Sequence, residues 1–400
     1  MKAAVYDATG PARDVLKVTE VERPEPGPAE VRVRVHVSGV NPTDAKSRSG
    51  ATPRPIDGFQ IPDQDGAGVI DAVGAGVDPT RVGQRVWLFL AAAGRKWGTA
   101  AEWTVLPERQ AVPLPDGVDL ELGANLGVPA ITAHRCVFAD GPVGGQTVLV
   151  AGGAGAVGHF AIELAKRAGA RVIATVSGPE KGELARAAGA DLVLNYREQD
   201  VAAQVRSFCG HLDRVIEVAL AANLETDLAA SGPGTVVVTY AATPPDPVLP
   251  VRACMSANVT LRFVLLYGVP AAAVDAAVVD IAAALRAGEL TPLPAHRFPL
   301  DDIAAAHEAV ENGVTGKVLV MPGDLPDRAE LPGAVNPRVV GPAEEELRAE
   351  PVLASGAAAR AAAAIRVGVN AAVVPSRHLA DGTAPERMDS QGYEVTGPRD

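Results

Sequence analysis

The sequence predicts an α/β chain of two interleaved parts, a β-rich unit interrupted by a doubly wound parallel sheet, and three observations carry that expectation. Between Pro142 and Phe263 short apolar runs alternate with helical patterns, the rhythm of βαβ units on a parallel sheet. Within that stretch, Val148-Leu-Val-Ala-Gly-Gly-Ala-Gly-Ala-Val-Gly158 passes from an apolar run through glycines into a helical pattern, as a strand–turn–helix junction does. From Met1 to Asn125, short strand-like runs are punctuated by Pro and Gly, which reads as an all-β or barrel-like half.

Each element follows from its local pattern. Residues 30–37, Glu-Val-Arg-Val-Arg-Val-His-Val, alternate strictly and predict a half-buried antiparallel strand. Parallel strands are expected at 147–150, 171–176, 191–194, 214–218, 235–239 and 260–263, with a helix over 156–168 after the glycines. An Ala-rich amphipathic helix is expected over 271–287, a short strand over 296–299, a helix over 301–312 and a last strand over 317–321. The domain limits then fall at 1–125 with 266–322 for the β-rich unit and 126–265 for the inserted unit. Residues 323–400, rich in Pro, Ala, Arg and Glu, lose the strand rhythm. They predict an extension of low order, with one Ala-run helix near 357–365 and no catalytic role.

Composition narrows the function classes. A chain of 400 residues that is 48% hydrophobic can bury a large core. Its net charge of −12 and the lack of any Lys/Arg run argue against a nucleic-acid partner, which needs a positive surface. A small-molecule ligand is expected instead. Cys136, Cys209 and Cys254 share no metal-type spacing and read as reduced core thiols. The N-terminus lacks the apolar core of a signal peptide and no run of about 18 apolar residues occurs. Together these predict a cytoplasmic protein with no membrane segment.

The glycine pattern carries the chemistry. In Gly153-x-Gly155-x-x-Gly158, Gly153 is expected to make the tight turn, Gly155 to let backbone approach a ligand's phosphates, and Gly158 to allow close packing of helix on strand. The N–H groups of the first helical turn, at Ala156 and Val157, have no intrahelical partner and sit at the positive end of the helix dipole. That combination binds the pyrophosphate of a dinucleotide. The strand that follows ends in Ala174-Thr-Val-Ser177. A serine therefore stands where an NAD enzyme places an acid for the ribose 2′-hydroxyl, so a 2′-phosphate meets no repulsion there.

Six segments in order then give the chain a resemblance. They are 39–50 (Gly-Val-Asn-Pro-Thr-Asp-Ala-Lys-Ser-Arg-Ser-Gly), 65–74 (Asp-Gly-Ala-Gly-Val-Ile-Asp-Ala-Val-Gly), 127–135 (Gly-Val-Pro-Ala-Ile-Thr-Ala-His-Arg), the glycine loop, 195–200 (Asn-Tyr-Arg-Glu-Gln-Asp) and 315–320 (Thr-Gly-Lys-Val-Leu-Val). Over residues 1–322 the chain resembles the zinc-independent quinone oxidoreductases, the zeta-crystallin-like branch of the medium-chain dehydrogenase/reductase superfamily. The resemblance implies a GroES-like substrate domain, a Rossmann domain, and NADPH-dependent reduction of quinones or related activated double bonds. It implies that Lys181, Tyr196 and the adjoining Arg197 hold the adenosine phosphate, with Glu180 as a nearby acid. It places Thr132 at the carboxamide end, Asn41 and Asp44 beside the nicotinamide and its ribose, and Val264, Leu265 and Lys317 among the cofactor contacts. Lys46 stands where several relatives carry tyrosine; its ammonium can stabilise an enolate or hydroquinone anion, or pair with Asp44. A homodimer through the edge strand near 260–263 is also implied.

Metal chemistry is tested at the positions where zinc-dependent relatives carry ligands. Those positions fall on Asn41, Gln64 and near Val128, and 86–103 contains no cysteine for a structural zinc. No metal is expected. Two alternatives stay open: an NADPH-dependent enone or enoyl-thioester reductase, and a non-catalytic NADPH-binding protein with a structural or sensing role. His36, His134, His159, His296 and His307 are expected to be structural, and Trp97 to Trp103 to line the acceptor cleft.

Overall fold

A computed structural model of the chain describes residues 1–323 apart from Pro53 and Thr243. Apart from Gly323, the extension expected over 323–400, with its helix at 357–365, lies outside the described residues. The first part runs β1 (Lys2–Val5), α1 (Ala12–Val15), β2 (Lys17–Glu20), β3 (Glu30–Val40), α2 (Pro42–Ser49), β4 (Asp65–Val73), β5 (Arg85–Leu88), β6 (Trp103–Pro107), β7 (Ala111–Pro113) and α3 (Leu120–Gly123). The second runs α4 (Gly127–Phe138), β8 (Thr147–Ala151), α5 (Ala156–Arg167), β9 (Arg171–Val176), α6 (Pro179–Ala187), β10 (Leu192–Asn195), α7 (Val201–Cys209), β11 (Leu212–Glu217), α8 (Leu220–Ala230), β12 (Ser231–Thr239), α9 (Val251–Ala257) and β13 (Thr260–Phe263). The last runs α10 (Ala271–Arg286), β14 (Ala295–Pro299), α11 (Ile303–Glu311) and β15 (Lys317–Met321).

Strands β8 to β13 form a six-stranded sheet in the order β10-β9-β8-β11-β12-β13, with every described pairing parallel. The two-residue period of β8 explains why both faces are covered. Val148 and Val150 pack with Ile131, Phe160 and Leu164 from α4 and α5, whereas Leu149 packs with Val201, Val205, Leu220 and Leu224 from α7 and α8. All five residues of β8 are buried, which is why the run is apolar without alternation.

The other large sheet has the order β14-β15-β3-β4-β5-β7, with β6 also on β3. The chain therefore returns after the parallel sheet to close the β-rich part: β15 pairs antiparallel with β3, Val318 opposite Val40 and Val320 opposite Ser38. Valines 31, 33, 35 and 37 of β3 are fully or nearly fully buried, as their alternation predicts. The opposite face is less exposed than a half-buried strand requires. Arg32 is buried with its guanidinium on Glu25 and Asp71, and burial pulls buried His36 down to about 4.

The first half is not all-β. Helix α2 is eight residues of polar sequence, Pro-Thr-Asp-Ala-Lys-Ser-Arg-Ser, without the apolar stripe that marks a helix in sequence. Pro42 at its first turn, Asn41 at its N-cap and the left-handed Gly50 at its end (φ 89°) specify it locally. Among the described residues no helix is long and apolar enough to cross a membrane.

Candidate functional site

The glycine turn lies at the carboxyl end of β8, between β9 and β11, where doubly wound sheets place their ligands. The turn itself is made by Gly152, with φ +68°, one residue before the expected Gly153. Gly153 serves packing instead: a Cβ there would lie 2.8 Å from Ala174 Cβ and 3.1 Å from Ile162 Cδ1. At Gly158 a Cβ would sit 2.3 Å from the Gly152 carbonyl oxygen, so helix α5 can approach the turn only with glycine there. Gly155 is the N-cap of α5, and its Cβ position is open apart from Gly152 O at 3.3 Å. No side chain caps α5, and among the described residues the first inward hydrogen bond of the helix runs from His159 N–H to Gly155 O at 2.8 Å. The N–H groups of Ala156, Val157 and Gly158 are left for a ligand, and the cradle fits a diphosphate.

The adjoining strand ends supply the next groups. Asn195 of β10 pairs with Val176 of β9, and Tyr196 N–H donates to Val176 O at 3.1 Å. Ser177, half-buried at the end of β9, and Tyr196, 53% exposed, therefore stand at neighbouring strand ends. Lys181 is in the first turn of α6, half-buried, and makes no ion pair among the described residues; Glu180 and Arg197 are exposed. A cation without a carboxylate beside an acid-free strand end can receive a phosphate.

Asn41 is 2% exposed at the N-cap of α2. Its N–H donates to Asp44 Oδ2 at 2.8 Å, its Nδ2 to Asp65 Oδ2 at 2.7 Å, and its Oδ1 accepts from Lys317 Nζ at 2.7 Å. Asp44 is buried beside Asp63 and Asp65, and its Oδ1 has no hydrogen-bond partner among the described residues. Burial first, and those two carboxylates next, hold Asp44 well above the ordinary carboxylate range. Burial likewise pushes Asp65 up to about 6 against the opposing pull of Lys317. Lys317, expected among the cofactor contacts, is 3% exposed with its ammonium turned inward, and burial lowers its pKa.

Lys46 does not pair with Asp44. Its exposed side chain reaches the segment that follows β12, where Nζ donates to Ala242 O at 3.4 Å. Beside it, the Tyr267 hydroxyl lies 3.1 Å from Thr43 Oγ1 and the Arg54 guanidinium stacks 4.5 Å from the Tyr267 ring. Burial raises the phenol of Tyr267. Tyr267 was missed in the sequence, although it follows Val264 and Leu265 by only two residues. Val264 N–H donates to Thr239 O at 2.9 Å, Leu265 is 66% exposed, and Thr132 is buried on α4. The Lys46–Ala242 and Thr43–Tyr267 contacts bring α2 of the β-rich part against the segments that follow the parallel strands β12 and β13.

Gln64 is buried with its Oε1 unpartnered, and among the described residues no three of His, Cys, Asp and Glu are grouped to hold a metal ion. Two amides and an apolar residue at Asn41, Gln64 and Val128 do not fit zinc. Four histidines have structural partners: His134 with Asp280, His159 with Thr291, His296 with Thr315 and His307 with Asp63. The three cysteines are free, and burial pushes the Cys136 thiol up to about 12. Trp103 turns its Nε1 to Asp71 at 2.9 Å, while Trp97 stacks edge-on with Phe59.

The chain is similar to known proteins. Residues 27–116 match the family described as alcohol dehydrogenase GroES-like domain, and residues 156–283 the family described as zinc-binding dehydrogenase. Quinone oxidoreductase of Mus musculus is 30% identical over 325 residues, covering 79% of this chain and 96% of the mouse protein. The NADPH-dependent alkenal/one oxidoreductase of Arabidopsis thaliana is 29% identical over 334 residues, 80% of each protein. A mycobacterial structure solved in complex with NADPH is 30% identical with a TM-score of 0.71, covering 80% of this chain and 100% of its own.

Proposed function

The chain belongs to the quinone oxidoreductase branch of the medium-chain dehydrogenase/reductase superfamily, and on that premise we propose that this oxidoreductase reduces quinones with NADPH and without zinc. The observation that carries the reading is the pairing of the diphosphate cradle at α5 with a donor set, Asn41, Gln64 and Val128, that does not suit zinc. When bound, NADPH supplies the reducing equivalents. The free N–H groups of α5 hold its diphosphate, and Lys181 with Tyr196 receives the 2′-phosphate beside Ser177. Thr132, Val264 and Leu265 flank the nicotinamide end, and Asn41 and Asp44 fix the α2 terminus against it. A metal-free site gains most from an acceptor that delocalises negative charge by itself, which a quinone does. Lys46, whose ammonium donates to Ala242 O at 3.4 Å and has no carboxylate partner among the described residues, is the cation offered to the anion that develops on the acceptor oxygen.

The test compares oxidation of NADPH and NADH by phenanthrenequinone, benzoquinone and a simple enone. Quinone turnover that prefers NADPH is expected. Turnover of the enone alone moves the assignment to the alkene-reductase reading, which the Arabidopsis thaliana relative favours. Tight NADPH binding without turnover of any acceptor supports a sensing role.

We read β13 as a dimer edge: among the described residues it ends the six-stranded order with one side unpaired, and Phe263 and Leu265 are 73% and 66% exposed.

A further inference from the structure

We infer that Lys317 and Asp65 are positioning residues that lock Asn41 and the start of α4 into one unit, so that Lys317 acts through Asn41 and is not a ligand of the cofactor. The inference rests on the reading above, in which Asn41 and Thr132 flank the nicotinamide. The amide of Asn41 lies between a donor-only ammonium and an acceptor carboxylate. Lys317 Nζ donates to its Oδ1 at 2.7 Å, and its Nδ2 donates to Asp65 Oδ2 at 2.7 Å and to Gly39 O at 3.3 Å. A flipped amide would set N–H against ammonium and oxygen against carboxylate, so the two charges fix its orientation. Asp65 carries the connection onward: both its oxygens accept from Val128 N–H, at 2.8 and 3.0 Å. Val128 is in the first turn of α4, a helix with no side-chain cap of its own, so a carboxylate from β4 serves as its cap. Thr132 lies one turn further along the same face.

Two glycines make room for this arrangement. A Cβ on Gly127 would lie 2.1 Å from Asp65 Oδ1, and one on Gly39 would lie 2.0 Å from Ala124 O and 3.2 Å from Lys317 Cε. Lys317, Asn41 and Asp65 are 3%, 2% and 0% exposed. Each buried charge is therefore stabilised by hydrogen bonds inside the protein, and loss of one partner leaves the rest unpaired.

The test is a double-mutant cycle on the full chain, with Lys317→Met, Asn41→Ala and both together, read by kcat and KM with phenanthrenequinone and by NADPH affinity. Lys317→Met is expected to lower kcat about 30-fold with NADPH affinity changed less than about twofold, and the double variant to be no slower than Asn41→Ala alone. Lys317→Gln, which keeps a donor for Asn41 Oδ1 without the charge, is expected to recover at least about half of that loss on a logarithmic scale. Losses that multiply, an unchanged kcat, or an NADPH affinity weakened about tenfold or more overturn the inference. Hydrogen exchange of the cofactor-free protein reads the same connection without turnover. Lys317→Met and Asp65→Asn should each speed exchange in residues 126–132 and leave 147–158 unchanged, and unchanged exchange in 126–132 overturns it. If wild type turns over no quinone, the proposed function fails while the exchange result still decides the positioning role.

Discussion

In the proposed reading nucleotide preference turns on Lys181, a half-buried cation that has no carboxylate partner among the described residues and stands beside an acid-free strand end. Lys181→Ala should cost NADPH about tenfold in kcat/KM, the scale of one charge-assisted contact, and leave NADH nearly unchanged. Equal loss for both would remove Lys181 from the phosphate site. Asp65 makes a second prediction at this scale. Its folded pKa of about 6 lies above the ordinary carboxylate value of 3.8, so the folded state holds the proton more tightly than the unfolded chain. Between about pH 4 and pH 6 the stability of wild type relative to Asp65→Asn should therefore fall as pH rises, by up to about 3 kcal/mol, and level off above. Urea unfolding of both proteins across that window checks it, and a difference that rises with pH refutes it. Lys46 shows how far residue type alone reaches: opposite charge suggests a pair with Asp44, yet residues two apart on a helix do not face each other, Asp44 is turned into the buried carboxylate cluster and Lys46 reaches Ala242 O.

At the scale of the element, the strand–turn–helix unit of β8 and α5 separates two kinds of glycine. A Cβ at Gly158 meets backbone at 2.3 Å, whereas a Cβ at Gly155 meets only Gly152 O at 3.3 Å. Gly158→Ala should therefore lower both the thermal midpoint and NADPH affinity. Gly155→Ala should keep the midpoint within a few degrees yet lose about tenfold or more in NADPH affinity, because the methyl group occupies the open mouth of the cradle. Calorimetry and nucleotide titration on the two variants distinguish these outcomes; a Gly155→Ala protein with unchanged affinity would place the diphosphate elsewhere. The cradle was legible in the sequence because its spacing is local, although the left-handed residue proved to be Gly152. Helix α2 was not legible. Its signal is a cap, a proline and a terminal glycine, with no apolar periodicity to announce it.

At the scale of the whole molecule, the side of β13 left unpaired among the described residues and the exposure of Phe263 predict a particle of twice the chain mass by light scattering, which Phe263→Asp should convert to monomer. A wild-type monomer would remove β13 from consideration as an interface. The alternation of strand and helix from 147 to 263, the glycine cradle and the acid-free end of β9 were all determined by the sequence alone, because each depends on neighbours within a few residues. The return of β15 to β3, the meeting of α2 with Ala242 and Tyr267, and the junction of Lys317, Asn41, Asp65 and α4 were decided only by the tertiary structure. Among those contacts, the Lys317–Asn41 hydrogen bond joins residues 276 positions apart. Their energies come from burying charges together and from hydrogen bonds across elements, terms that no local pattern of residues encodes.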